Sequence, residues 1–142
     1  MRQVKHLLQR KGNGIFAIAP EAPVLDAIKH MAEKQVGALL VMRGEQLVGI
    51  VSERDYARKV ILQGRSSAET PVEAIMTHTP LTVGPNTDVL ECMRLCTDRR
   101  IRHLPVVFNN HVIGVISIGD LVMDVIAAQG EEIDQLRRYI SS

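Results

Sequence analysis

The apolar positions of this chain fall into an order that occurs twice. Val24, Leu25, Ile28 and Met31 recur at the spacing of one helix face. A short apolar run follows, "ALLVM" at 38–42, then a turn at "RGEQ", then a second run, "LVGIVS" at 47–52. Runs of this length bounded by turn residues predict a β-hairpin, and the second run leads directly into a helix over 53–62. The same order returns with Val89, Leu90, Met93 and Cys96, the run "LPVVF" at 104–108, a turn at "NNH", the run "VIGVIS" at 112–117 and a helix over 118–128. Pro105 lacks an N–H for a ladder, which predicts a strand start or edge there. With short strands around Phe16–Ile18 and Leu81–Val83, each half reads β-α-β-β-α.

A shift of 65 residues lays 18–61 on 83–126 without a gap, so the halves are a duplication. Gly49 meets Gly114, Ser52 meets Ser117 and Asp55 meets Asp120. A three-stranded sheet with helices on one face cannot bury its other face alone. The expected fold is therefore α/β of the α+β type, with two repeats packed through their sheets across one core and related by a pseudo-two-fold axis. The chain divides into 1–65, the first repeat with its lead-in, 66–130, the second repeat with a linker helix, and 131–142, an amphipathic tail helix. Within the linker, "TPVEAIM" (70–76) predicts a helix with Thr70 at the N-cap, Pro71 at N1 and Glu73 at N3. Gly130 predicts a break before the tail.

Charge narrows the function. A net charge of +1 provides no broad field to recruit nucleic acid or a membrane surface. Aromatic residues are 3% with no Trp, which argues against a base-stacking platform. No apolar run approaches a membrane span, and the opening "MRQVKHLLQRKGNG" lacks the cleavage pattern of a signal peptide, so a cytoplasmic protein is expected. Cys92 and Cys96 share a helix face and read as buried small hydrophobes. No metal site is expected, because no further ligands stand at the required spacing. No catalytic site is expected either: His6, His30, His78 and His111 accompany no nucleophile with a base and an orienting acid.

The candidate chemistry lies in "GIVSERD" (49–55) and "GVISIGD" (114–120). Ser-x-x-Asp after a strand is first of all a helix capping box, and a duplication would copy it. Three features point beyond a cap. Gly49 and Gly114 interrupt apolar strands, where glycine marks a close backbone approach. A helix start offers free amides to an anion, and a carboxylate one turn in suits a ribose diol. Cations gather at the same places: Arg54 and Arg58 flank Asp55, and Arg102-His103 precedes the strand whose counterpart is preceded by Gly37-Ala38.

These paired motifs, the "IRHLPVV" strand and the lead-in "EAIMTHTPLTVGPNTDV" resemble a stand-alone tandem cystathionine-β-synthase (CBS) domain pair over nearly the whole chain. The resemblance implies a regulatory module that binds an adenosine-containing ligand (AMP, ADP, ATP, NAD or S-adenosylmethionine) between the halves and acts as a sensor for an unidentified client protein. It implies that Asp55 and Asp120 take ribose hydroxyls and that Ser52 and Ser117 contact phosphate. It also implies that each pocket borrows the lead-in and first strand of the opposite repeat. The Asp55 pocket would gain Thr79, Leu81, Ile101, Arg102, His103 and Pro105, with Arg54 and Arg58 as further cations. The Asp120 pocket would gain Gly14, Phe16, Val36 and Gly37, although "QRKGNGIFAI" has no equivalent of "MTHTP". The cations are expected around Asp55, leaving the Asp120 pocket roomier and less cationic. Homodimerisation through helices is implied as well. The competing reading is a dimerisation scaffold with empty clefts.

Overall fold

The computed structural model describes residues 2–12 and 14–141. The helices are α1 (Val4–Lys11), α2 (Val24–Lys34), α3 (Glu53–Tyr56, continued by a π-helical stretch Ala57–Ile61), α4 (Val89–Arg99) and α5 (Ile118–Ser141). The strands are β1 (Ala17–Ile18), β2 (Ala38–Arg43), β3 (Gln46–Ser52), β4 (Thr77–His78), β5 (His103–Phe108) and β6 (His111–Ser117). The duplication extends to the register. Ala38 faces Ser52 as His103 faces Ser117, and both hairpins shift register at the same place, after Val41 and after Val106. Helices α2 and α4 both end on a left-handed residue, Gln35 and Arg100.

Strand alternation divides the side chains between two faces. Leu39 and Val41 enter a core with Val24, Met31 and Val51, while Leu104 and Val106 enter a second core with Val89, Cys92 and Ile116. The expected single core between the sheets is thus two cores, one in each half. Leu40 and its counterpart Pro105 are also buried but belong to neither cluster, because they lie on the opposite sheet faces. Pro105 has a second effect. The Leu40 amide donates to Phe16 O at 3.0 Å and holds β1 as a two-residue strand. Proline cannot make the equivalent bond, and the matching segment shrinks to one bridge between Val83 and Val106.

The lead-in segments exchange places. Helix α1 packs Val4, Leu7 and Leu8 into the second half's core, whereas Val72, Ile75 and Met76 pack into the first half's core. The hydrogen bonds match: Val4 N donates to Thr87 O at 2.9 Å, as Val72 N donates to Ala22 O at 2.8 Å. A boundary at 65/66 therefore divides the chain but not the packing. Arg2 fastens the N-terminal segment through a hydrogen-bonded ion pair, 2.6 Å at its shortest, to Asp124 of α5, a carboxylate only 2% exposed. Gly49 and Gly114 serve this exchange. A Cβ at Gly49 would lie 2.5 Å from Met76 Sδ and 2.9 Å from Thr77 O, and one at Gly114 would lie 2.8 Å from Leu8 Cδ2. The close approach inferred for both glycines is real, but the approaching group is the exchanged lead-in and not a ligand.

Three local expectations are corrected. Residues 70–76 form only a single 3₁₀ turn, Val72–Ala74, preceded by extended Pro71, with no side-chain cap from Thr70. The amides of Val72 and Glu73 are drawn to Ala22 O and Pro20 O, so a longer helix is not available. Helix α5 runs through Gly130 without a break. One glycine costs a helix about 1 kcal/mol, too little to end it when the flanking residues favour helix. On α4 the buried positions are Val89, Cys92 and Cys96, and Leu90 is 59% exposed. The cysteines behave as expected of buried hydrophobes: burial pushes the Cys92 thiol up to about 11 and raises Cys96 too.

Candidate functional site

Each second strand of a hairpin delivers its chain directly into a helix, and both junctions form a reciprocal cap. Ser52 Oγ accepts from the Asp55 amide at 3.2 Å, while Ser52 N donates to Asp55 Oδ2 at 3.0 Å. Ser117 Oγ accepts from the Asp120 amide at 3.1 Å, and Ser117 N donates to Asp120 Oδ2 at 2.8 Å. Such caps contribute about 1 kcal/mol each. They also fix both carboxylates in the walls of two cavities that lie between the halves.

The Asp55 cavity has a volume of about 390 Å³. Its own half contributes Ser52, Arg54, Asp55 and Arg58. The segment after β4 contributes Pro80 and Leu81, and the approach to β5 contributes Arg100, Ile101, Arg102 and His103. The two halves thus build one wall each, and four arginines line the space. Among the described residues, none of the four has a carboxylate within ion-pair distance. Thr79, expected here, is not among the lining residues: the backbone turns at Thr79 with φ 48°, and Thr77 and Pro80 line the wall instead. Pro105 is not in the lining either: it is buried within β5.

The Asp120 cavity, about 320 Å³, is the smaller one, so the expectation of a roomier pocket is corrected. Ser117 and Asp120 meet Gly14 and Phe16 from the opposite lead-in, and Val36 and Gly37 from the approach to β2. It holds fewer cations, as the sequence implies, but one is in direct contact. Lys11 Nζ lies 2.6 Å from Asp120 Oδ2 and 2.6 Å from Val115 O. Burial alone would raise the Asp120 carboxyl, yet the Lys11 ammonium and the Ser117 amide together hold it below the ordinary carboxylate value.

His103 lines both cavities, together with Gly37 and Ile50. Its sequence assignment to the Asp55 side alone is therefore incomplete. Burial lowers its pKa first, and the positive charges of Lys11 and Arg102 lower it further, against the opposing pull of Asp120. Sequence reasoning also missed Lys11, Gln35, Ile50 and Arg100. Gln35 and Arg100 are the left-handed residues that end α2 and α4, a position at which the chain must turn into the first hairpin strand. Lys11 lies in the lead-in "QRKGNGIFAI" that the resemblance brings to the Asp120 pocket, but was not singled out within it. Among the described residues, no group of three His, Cys, Asp or Glu side chains is arranged to hold a metal ion.

No helix of the described residues is long and apolar enough to cross a membrane. The CBS domain sequence model matches residues 4–61 and 72–126. The chain is 51% identical over 122 residues to the CBS domain-containing protein CBSX3, mitochondrial, of Arabidopsis thaliana, covering 82% of this chain and 59% of that protein. It spans about a quarter of the next plant relatives. Among solved structures, a candidate signal-transduction protein with CBS domains from Burkholderia ambifaria MC40-6 superposes with a TM-score of 0.87 at 51% identity, covering 90% of this chain and 96% of that one. The fold extends to a CBS domain protein from Pyrobaculum aerophilum complexed with AMP, at 23% identity and a TM-score of 0.76, covering 89% of this chain and 99% of that one. With both halves matched and the duplicated architecture in place, this chain belongs to the CBS domain family and carries two CBS repeats.

Proposed function

We propose that the chain is a regulatory module that senses an adenosine-containing ligand, of the AMP, ADP, ATP or NAD type, and has no catalysis of its own. The observation that carries this reading is the arrangement of the Asp55 cavity. A pre-positioned carboxylate, an apolar wall from Leu81 and Ile101, and four arginines without carboxylate partners converge from both halves. Asp55 Oδ1 is the atom for a ribose diol, since Oδ2 is committed to the cap. Lys59 also approaches Oδ1, at 3.4 Å, from a side chain that is 43% exposed. Arg54, Arg58 and Arg102 suit phosphate oxygens through charge-assisted bonds. The AMP complex of the Pyrobaculum relative supports this ligand class, as does a CBS domain pair bound to 5-methylthioadenosine and S-adenosyl-L-methionine.

Thermal unfolding with and without nucleotide tests the reading. Ligand at about one hundred times its dissociation constant should add roughly 2.7 kcal/mol of stability. Unchanged melting with AMP, ATP and NAD at millimolar concentration would leave the second reading, a scaffold with empty clefts. That alternative draws on α5, whose Ile126, Ile133, Leu136 and Ile140 are each more than half exposed. In either case we expect a homodimer; related CBS-CP12 proteins from cyanobacteria are hexameric.

A further inference from the structure

His103 stands where the two cavities meet, since it belongs to the lining of both. Its counterpart in the first repeat is Ala38, at the same register position opposite a motif serine, so the pair of repeats holds one imidazole there and not two. The ring lies against Gly37, where an added Cβ would stand 3.9 Å from both Cε1 and Nε2. Among the described residues, neither ring nitrogen has a hydrogen-bond partner. No buried side-chain nitrogen among them is left unpaired either, so the imidazole nitrogens open onto the space that His103 lines. The charges facing the ring come from three elements: Lys11 of α1, Asp120 of α5 and the adjoining Arg102. Across the Asp55 cavity, α3 presents Glu53, Arg54 and Asp55, and its π-helical continuation presents Arg58.

We infer that His103 is a proton-linked contact for the anionic part of the ligand, shared by both cavities, so that binding in either one draws a proton from solvent. This deepens the adenosine-ligand reading and rests on it. Burial, Lys11 and Arg102 favour the neutral ring, against Asp120. A neutral imidazole offers one donor and one acceptor, and the acceptor repels a phosphate oxygen. The imidazolium offers two donors, each able to make a charge-assisted bond. Negative charge placed in either cavity therefore favours the protonated ring. Linkage then requires the affinity for an anionic ligand to rise as the pH falls, and leaves an uncharged nucleoside without that gain. One ring takes up one proton, so a proton drawn in by a ligand in one cavity is already in place for a ligand in the other.

The ring resonance of His103, followed through a pH titration, reads this proton directly. Saturating AMP should raise the pKa of His103 by at least about one unit, and adenosine should not raise it. The rise should appear in the wild-type chain, in Asp55→Ala, which leaves the Asp120 cavity, and in Asp120→Ala, which leaves the Asp55 cavity. No rise in the wild-type chain overturns the proton link, and a rise confined to one of the two variants overturns the sharing. NAD supplies a second measurement that needs neither variant, because its phosphodiesters keep their charge near neutral pH. Its affinity for the wild-type chain should be at least about threefold tighter at about pH 5 than at about pH 8, and His103→Gln should abolish the difference. A difference that persists in His103→Gln overturns the assignment. Inorganic pyrophosphate separates this inference from the adenosine reading. If no nucleotide binds the wild-type chain, the adenosine reading fails; pyrophosphate must still raise the pKa of His103, and an unmoved value overturns the proton link.

Discussion

At the residue scale, glycine and histidine carry the sharpest consequences. Gly49 and Gly114 occupy matching places, but what crowds them differs. At Gly49 an added methyl meets the Thr77 carbonyl, which β4 pairing holds in place. At Gly114 it meets only the end of the Leu8 side chain. Overpacking costs about 1–3 kcal/mol, so Gly49→Ala should lie at the upper end and Gly114→Ala near the lower, read by urea unfolding. Equal losses would mean that Leu8 is as rigid as backbone. Acid sensitivity follows from His103 and Asp120, both with lowered pKa values. A histidine lowered below 6.5 contributes stability that is complete above that pH and is lost as the pH falls through its folded value. Asp120 adds a second loss below 3.8. The groups facing His103 are Lys11, Arg102 and Asp120. Stability should therefore decline as the pH falls below 6.5, and His103→Gln should flatten that slope. An unchanged slope in His103→Gln would place the loss elsewhere. The Ser–Asp caps were legible at this scale because the motif is local. Lys11 was not, because its contact joins residues 109 positions apart.

At the element scale, the hydrophobic period and the 65-residue shift revealed every hairpin and both repeat helices, since each lies within one half. The core that each exchanged lead-in enters was hidden. Nothing in "VKHLL" or "PVEAIM" states which half its apolar side chains will enter, and only the three-dimensional path decides it. The π-helical stretch at Ala57–Ile61 was equally silent in the sequence, and its counterpart in α5 is plain α-helix. Gly130 was misread for an energetic reason: a single glycine weakens a helix without stopping it. The position is open, with nothing within 4 Å of an added Cβ. Gly130→Ala should raise stability by about 0.5–1 kcal/mol. A loss instead would show that α5 bends or ends there.

At the scale of the whole molecule, two further expectations hold the account together. The exposed stripe on α5 places Ile133 and Leu136 on a face that a second copy can cover. We expect light scattering at micromolar concentration to give twice the chain mass, and Ile133→Glu with Leu136→Glu to give the monomer. A wild-type monomer would dismiss this interface. The pairing of each aspartate with the opposite half was visible in the family resemblance, and the lining residues of both cavities follow that cross-half pattern. The inequality of the cavities was visible too, in the arginines, though not in their volumes. We expect Asp55 to seat the tighter site, because charge-assisted contacts to phosphate contribute about 1.5–3 kcal/mol each and the arginines converge there. Calorimetric titration of AMP into the wild-type chain, Asp55→Ala and Asp120→Ala tests this claim most directly. The tight site should vanish in Asp55→Ala and survive in Asp120→Ala; its survival in Asp55→Ala with loss in Asp120→Ala would contradict the account.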